Sequence, residues 1–101
     1  MTLTKRDLVL RISEETGLIQ HQVFDIIQQT LNHITAALGQ GQKVELRNFG
    51  IFEVRVRKAR MGRNPGAPQT LVPIPQRSVV KFRAGREMRL TVAKFVPESA
   101  A

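Results

Sequence analysis

The middle of the chain contains closely spaced basic residues, and their chemistry is the clearest indication of function in the sequence. Arg55, Arg57, Lys58, Arg60 and Arg63 fall within one short stretch. Such a density of cationic groups binds anions, and the planar guanidinium matches phosphate oxygens in particular. A surface that served solubility alone would mix both signs of charge. The stretch therefore indicates binding of a polyanion rather than catalysis.

The positive charge is confined to one part of the sequence. The 101 residues carry a formal net charge of +8. Residues 1 to 42 hold three basic and four acidic side chains, whereas residues 43 to 89 hold twelve basic and three acidic ones. This asymmetry predicts that the partner is either a nucleic acid or an anionic membrane surface.

The residue types argue against disulfide, metal and catalytic sites. Because cysteine is absent, a disulfide framework and a thiolate metal site are excluded. The two histidines, His21 and His33, are twelve residues apart and are expected on a helix surface. No phosphate loop or nucleophile motif occurs. We therefore expect no enzyme activity, cofactor, metal or small-molecule substrate. The N-terminal residues lack the apolar run of a signal peptide, so we expect a cytoplasmic location.

The basic stretch needs a scaffold, and its own periodicity suggests one. Val54 and Val56 alternate with two arginines, which is the period of a β-strand. Turn-forming residues from 62 to 68 separate this strand from a second β-prone run at 71 to 80. The pattern predicts a long β-hairpin whose outer half is too poor in apolar surface to fold alone.

Helical signals lie on both sides of this hairpin. Thr4 with Asp7 forms a capping box, and Gly17 ends the first predicted helix. A second helix is predicted from about Gln20 to Leu38. The predicted class is α+β in one domain of residues 1–101. Its parts are an N-terminal helical hairpin (about 3–40), a three-stranded antiparallel sheet with a long protruding β-arm (about 43–83) and a short C-terminal helix (about 85–95).

The apolar stripe of the second helix is too broad for a small sheet to cover. We therefore expect a second copy of the chain to supply the missing layer, in a two-fold symmetric dimer. Three phenylalanines at the base of the predicted hairpin are expected to be core residues. The predicted dimer core consists of Phe24, Ile27, Leu31, Ile34, Phe49, Phe52 and Phe82.

One long stretch resembles a known protein family. The segment F-G-I-F-E-V-R-V-R-K-A-R-M-G-R-N-P, from Phe49 to Pro65, closely resembles the bacterial HU/IHF histone-like DNA-bending proteins. Ile74-Pro75 and the F-x-x-G pattern from Phe82 to Gly85 also fit, and the resemblance covers nearly the whole chain. It implies an intertwined dimer whose two β-arms embrace duplex DNA in the minor groove.

The resemblance also implies roles for individual residues. Pro65 matches the family's proline that wedges between base pairs at the arm tip, and Asn64 and Gly62 match its turn. The arm contacts to phosphates and groove correspond to Arg55, Arg57, Lys58, Arg60 and Arg63. Further contacts at the body or its flanks correspond to Lys5, Lys81, Arg83 and Arg86. After Pro65 this chain departs from the family pattern, and the segment up to Ile74 is one residue longer.

The implied function is a nucleoid-associated protein that bends and compacts double-stranded DNA, mostly without sequence specificity. Site-specific bending of the IHF type stays open, as does a heterodimer with a paralogue in place of a homodimer. Single-strand binding is disfavoured because tryptophan and tyrosine are absent. A structural or membrane-surface protein is the alternative from another class. That alternative predicts a basic amphipathic helix, whereas the cations here lie mainly on predicted strands.

Overall fold

The computed structural model describes residues 1–97 and divides into two units, residues 1–37 and the residues from Leu38 onward. The strands form a three-stranded antiparallel sheet in the order β1-β2-β5 and a separate two-stranded antiparallel ladder of β3 and β4. The predicted α+β class, with its three-stranded sheet, β-arm and short last helix, is confirmed. The elements are α1 (Lys5–Thr16), α2 (Gln20–Gly39), β1 (Val44–Leu46), β2 (Gly50–Arg57), β3 (Arg60–Asn64), β4 (Ala67–Ile74), β5 (Arg77–Ala84) and α3 (Arg86–Ala93).

Both ends of α1 are fixed by local hydrogen bonds. The Thr4 hydroxyl accepts the Asp7 N–H at 3.2 Å, and the Asp7 carboxylate accepts the Thr4 N–H at 3.0 Å. At the other end Gly17 adopts a left-handed conformation with φ of 75° and donates its N–H to the Ser13 carbonyl. Glycine tolerates this conformation because it has no Cβ. The predicted capping box and helix stop are therefore confirmed.

The helical unit covers little of its own apolar surface. Val9 and Val23 are its buried apolar side chains among the described residues. On the same helix as Val23, Phe24 is 41% exposed and Leu31 is 44% exposed. Large apolar side chains left in contact with water at this level indicate a face that another surface must cover.

The sheet has one apolar face, because directly opposite residues of antiparallel strands share a face. The pairs on this face of β2 and β5 are Gly50–Ala84, Phe52–Phe82, Val54–Val80 and Val56–Ser78. The Phe82 ring lies with its centroid 4.8 Å from that of Phe52 and 5.7 Å from that of Phe49. A Cβ on Gly50 would overlap the Phe82 ring, so only glycine fits this close approach.

The arm differs from a single continuous hairpin. Neither residues 58–59 nor residues 75–76 belong to a strand, so the ladder of β2 and β5 stops before that of β3 and β4 begins. Pro75 lies in this gap, where it has no N–H to donate to a neighbouring strand. We call residues 58–59 and 75–76, together with the flanking strand ends at Arg57, Arg60, Ile74 and Arg77, the joint of the arm.

The last helix begins after Gly85, as predicted, and ends at Ala93, two residues before its predicted end. The Phe95 N–H still donates to the Val92 carbonyl at 3.0 Å, in a final turn outside the helix. Pro97 restricts only Val96 before it, so it prevents a longer helix but does not account for the end at Ala93.

Candidate nucleic-acid interface

The second face of the β2–β5 ladder is strongly basic. Its register places these opposite pairs on that face: Ile51–Arg83, Glu53–Lys81, Arg55–Val79 and Arg57–Arg77. Five cationic side chains and one carboxylate thus share one side of two strands, while the other side is apolar. The alternation that predicted a strand therefore also separates a surface for packing from a surface for anions.

Glu53 partly neutralises this basic face. Its carboxylate lies 2.8 Å from Nε of Arg83 and 3.7 Å from an Nη of Arg55, and its side chain is 20% exposed. The two arginines are about half exposed, so water and anions can still reach them. The ion pairs orient both guanidinium groups along the face and compete with any external anion for them.

Four cations surround the joint, of which Arg57 and Arg77 also belong to the basic face. Arg57 ends β2, Arg77 begins β5, and Arg60 begins β3, with Lys58 between the strands. Together with Ile74 and Pro75 they line a surface cavity of about 240 Å³. The structure thus brings together three of the arm residues predicted from sequence and adds Arg77, which the sequence analysis did not assign.

The outer arm presents cations on both of its faces. Arg60 pairs with Ile74, whereas Arg63 pairs with Leu71, and the odd spacing between the two arginines puts them on opposite sides. Met61 shares the side of Arg63 and is 58% exposed. A Cβ on Gly62 would overlap the Ile74 side chain, so the glycine lets Ile74 pack across the ladder. The outer arm therefore offers apolar surface and positive charge together.

The arm tip is a tight turn, and the ladder of β3 and β4 beside it has an irregular register. The Asn64 side-chain oxygen accepts the Gly66 N–H at 2.9 Å, which forms an Asx-turn around Pro65. Asn64 pairs with Ala67 while Arg63 pairs with Leu71, so residues 68–70 bulge out of register. The extra length noticed in the sequence therefore lies beside the turn, and Pro65 itself is exposed at its apex.

The remaining predicted residues lie elsewhere in the chain. Arg86 is the first residue of α3. Lys5 belongs to the helical unit, where its ammonium group lies 5.2 Å from the centre of the Phe24 ring and donates to the Gln28 side chain. Both contacts of Lys5 are within its own unit. Phe49 and Phe82 remain 47% and 39% exposed in the single chain.

Two residues of this interface were missed by sequence reasoning. Arg77 follows the same two-residue period as Lys81 and Arg83, so the periodicity of β5 contained the necessary signal. The role of Glu53 had no such signal, because its contact with Arg83 depends on strand register. Among the described residues, no cluster of three or more potential metal ligands occurs, and no helix has the length and apolarity to cross a membrane.

Comparisons with known proteins agree on one family. A family model described as bacterial DNA-binding protein matches residues 3–93. Integration host factor subunit alpha of Caulobacter vibrioides is 41% identical over 93 residues, which cover 90% of each chain. The corresponding subunit of Paracoccus denitrificans is 39% identical over 92 residues, 91% of this chain and 89% of the relative.

The solved structures that resemble the chain belong to the same family. The Anabaena HU–DNA cocrystal structure matches with a TM-score of 0.83 and 36% identity, over 92% of this chain and all of that one (100%). A mutant HU of Thermotoga maritima matches with a TM-score of 0.65 and 27% identity, over 89% of this chain and 99% of that one.

Proposed function

Because the chain belongs to the HU/IHF family of bacterial DNA-binding proteins, we propose that it bends and compacts duplex DNA mostly without sequence preference. The family consists of architectural proteins rather than enzymes, and its members bind double-stranded DNA as dimers. We further propose which residues of this chain contact the DNA, and that the protein acts on the bacterial nucleoid in the cytoplasm.

The charged face of β2 and β5 carries the proposal. Its cations lie at the spacing of alternate strand residues, with exposed guanidinium groups at Arg55 and Arg83. Such a row contacts the sugar-phosphate backbone, which supplies affinity without sequence information. Arg57, Lys58 and Lys81 extend this contact, with Arg86 and Lys5 at the flanks.

The outer arm enters the minor groove in this proposal. Arg60 and Arg63 lie on opposite sides of the ladder. When the arm lies in the groove, each arginine therefore faces one of the two sugar-phosphate backbones that form the walls of the groove. Asn64 orders the tip turn, and Pro65 at the apex wedges between two base pairs. Proline suits this position because its apolar ring can enter a base step without burying an unpaired N–H.

A second copy of the chain covers the exposed apolar side chains. The covered set consists of Phe24, Ile27, Leu31, Ile34, Phe49, Phe52 and Phe82. Two observations support it: the helical unit buries little apolar area alone, and the phenylalanine cluster stays partly exposed. In this proposal the whole chain acts as one domain.

A site-specific bender is the second candidate function. The relatives named as integration host factor subunit alpha favour it, and their subunit name points to a partner chain different from their own. The general mode is preferred because arginine and proline in a minor groove sense mainly its width and deformability.

Salt dependence of duplex binding tests the proposed function. A labelled duplex, the same sequence as a single strand, and phosphatidylserine vesicles are titrated with protein over a series of salt concentrations. If about 6 to 10 phosphates are neutralised, the slope of log affinity against log salt is roughly −5 to −9 for the duplex. A slope near zero, or tighter binding to the vesicles than to the duplex, would overturn the proposal.

A further inference from the structure

We propose that the joint of the arm is a binding site for one phosphate group, in which Arg57 and Arg77 hold the anion and Lys58 and Arg60 complete its surroundings. The inference rests on the proposed DNA-binding function, because that phosphate would belong to the DNA backbone. It goes further because it assigns Arg77 to phosphate binding and makes the joint a separate binding site.

Two like charges oppose each other at the end of the inner ladder. Arg57 and Arg77 face each other directly across the ladder and share one face. Opposite residues of an antiparallel pair have Cβ atoms roughly 4.5–5.5 Å apart, and like charges there destabilise the pairing. The pair is the last of the inner ladder, so nothing beyond it holds the strands together until β3 and β4 begin. An anion between the two guanidinium groups would turn this repulsion into attraction.

Within the described residues, the cations of the joint have no counter-ion. On the same face Arg55 and Arg83 share the carboxylate of Glu53. In contrast, no carboxylate within the described part of the chain lies at ion-pair distance from Arg57, Lys58, Arg60 or Arg77. Glu53 therefore neutralises Arg55 and Arg83 and leaves the four cations of the joint to an external anion.

The side chains of the joint leave space between them for an anion. The cavity of about 240 Å³ is equivalent to about eight water molecules at roughly 30 Å³ each, enough for a phosphate group with some of its hydration. Ile74 and Pro75 form an apolar part of its lining. The four cations beside them are exposed, so an anion can reach them from solvent.

A bound phosphate would also link the two parts of the arm. Arg57 and Arg77 belong to the inner sheet, Arg60 belongs to the outer ladder, and Lys58 lies between them. One phosphate contacted from all three places would restrain the angle between the ladders. Phosphate binding at the joint would therefore order the outer arm as it meets DNA.

An NMR titration with inorganic phosphate tests the site without DNA. Amide shifts of the full-length protein are followed as phosphate replaces chloride at constant ionic strength. We expect saturable shifts centred on residues 57–60 and 74–78. Arg77→Gln should abolish them, Arg77→Lys should weaken them because the guanidinium fork is lost, and Arg11→Gln, which removes the same charge from the exposed surface of α1, should keep them. Shifts that are spread over all basic residues, or that survive Arg77→Gln, would overturn the proposal.

Duplex binding separates this proposal from the function on which it rests. Arg77→Gln should weaken duplex binding about tenfold and reduce the magnitude of the salt slope by about 1 for each protomer that contacts DNA, while Arg11→Gln leaves the slope unchanged. If the parent protein fails to bind duplex, the proposed function fails. If the parent binds duplex and both variants have its slope, the joint site alone is refuted.

Discussion

Removing the one carboxylate on the basic face should strengthen DNA binding. In the free protein the Glu53 carboxylate holds Arg83 at 2.8 Å and Arg55 at 3.7 Å. A DNA phosphate that contacts these arginines must compete with it. Glu53→Gln keeps the side-chain size and removes the negative charge, so both guanidinium groups become available to the phosphate.

The exposure of the arginines sets the size of this effect. Both are about half exposed, so the ion pairs are worth about 0–1 kcal/mol per protomer rather than the larger value of a buried pair. For a dimer the upper limit is about 2 kcal/mol, which corresponds to roughly 30-fold tighter binding. The salt slope should steepen by about 1 to 2, because more phosphates are neutralised. Folding stability should fall by no more than about 1 kcal/mol per protomer.

The assay is fluorescence anisotropy of a labelled duplex at several salt concentrations, with thermal unfolding measured in parallel. Glu14→Gln in α1 is the matched control, since it makes the same change in net charge at an exposed helical position. We expect it to change affinity only slightly. Weaker duplex binding by Glu53→Gln, or a slope equal to that of Glu14→Gln, would refute the competition between Glu53 and phosphate.

Three further results are expected. The unfolding midpoint should rise with protein concentration, because folding and dimer association are coupled; a constant midpoint with a monomeric mass would contradict the dimer. Gly50→Ala should destabilise each protomer by about 1–3 kcal/mol in thermal unfolding, because the added Cβ meets the Phe82 ring; Gly39→Ala, whose Cβ meets nothing within 4 Å, should not. The pKa of Asp7 is lowered from 3.8, chiefly because its carboxylate accepts the Thr4 N–H. Since this pKa is lower in the folded state, Asp7→Asn should lower the midpoint at neutral pH, and the difference should vanish as pH falls through the lowered pKa.

Features with local causes could be predicted from the sequence. The capping box of Thr4 and Asp7, the stop at Gly17 and the alternation of Val54 and Val56 with arginines each depend on residues a few positions apart. The charge of the arm followed in the same way, because adjacent cations on a strand stay close however the strand packs. The family resemblance then added the contact with the minor groove and the role of Pro65 as a wedge.

Features that depend on strand register could not be predicted in this way. Arg57 and Arg77 face each other through a pairing between residues 20 positions apart, and Glu53 contacts Arg83 across a separation of 30 positions. The bulge at residues 68–70 is also a shift of register, between the pairs of Arg63 and Asn64. Sequence periodicity assigns a residue to a face, but only the register identifies its neighbour.

The bend angle of DNA bound by Pro65→Ala tests the central claim most directly. The angle is measured by energy transfer between the ends of a labelled duplex at saturating protein, with affinity determined in the same salt. Opening a base step costs a few kcal/mol, which extra contacts to the bent DNA offset. We therefore expect Pro65→Ala to lose much of the bend while it keeps most of its salt-dependent affinity, and to lose the parent's preference for nicked over intact duplex. Pro73→Ala, a proline substitution within the ladder of the same arm, should bend DNA as the parent does. If Pro65→Ala bends DNA as strongly as the parent, the tip proline is not the wedge, and Pro68 in the neighbouring bulge becomes the residue to test.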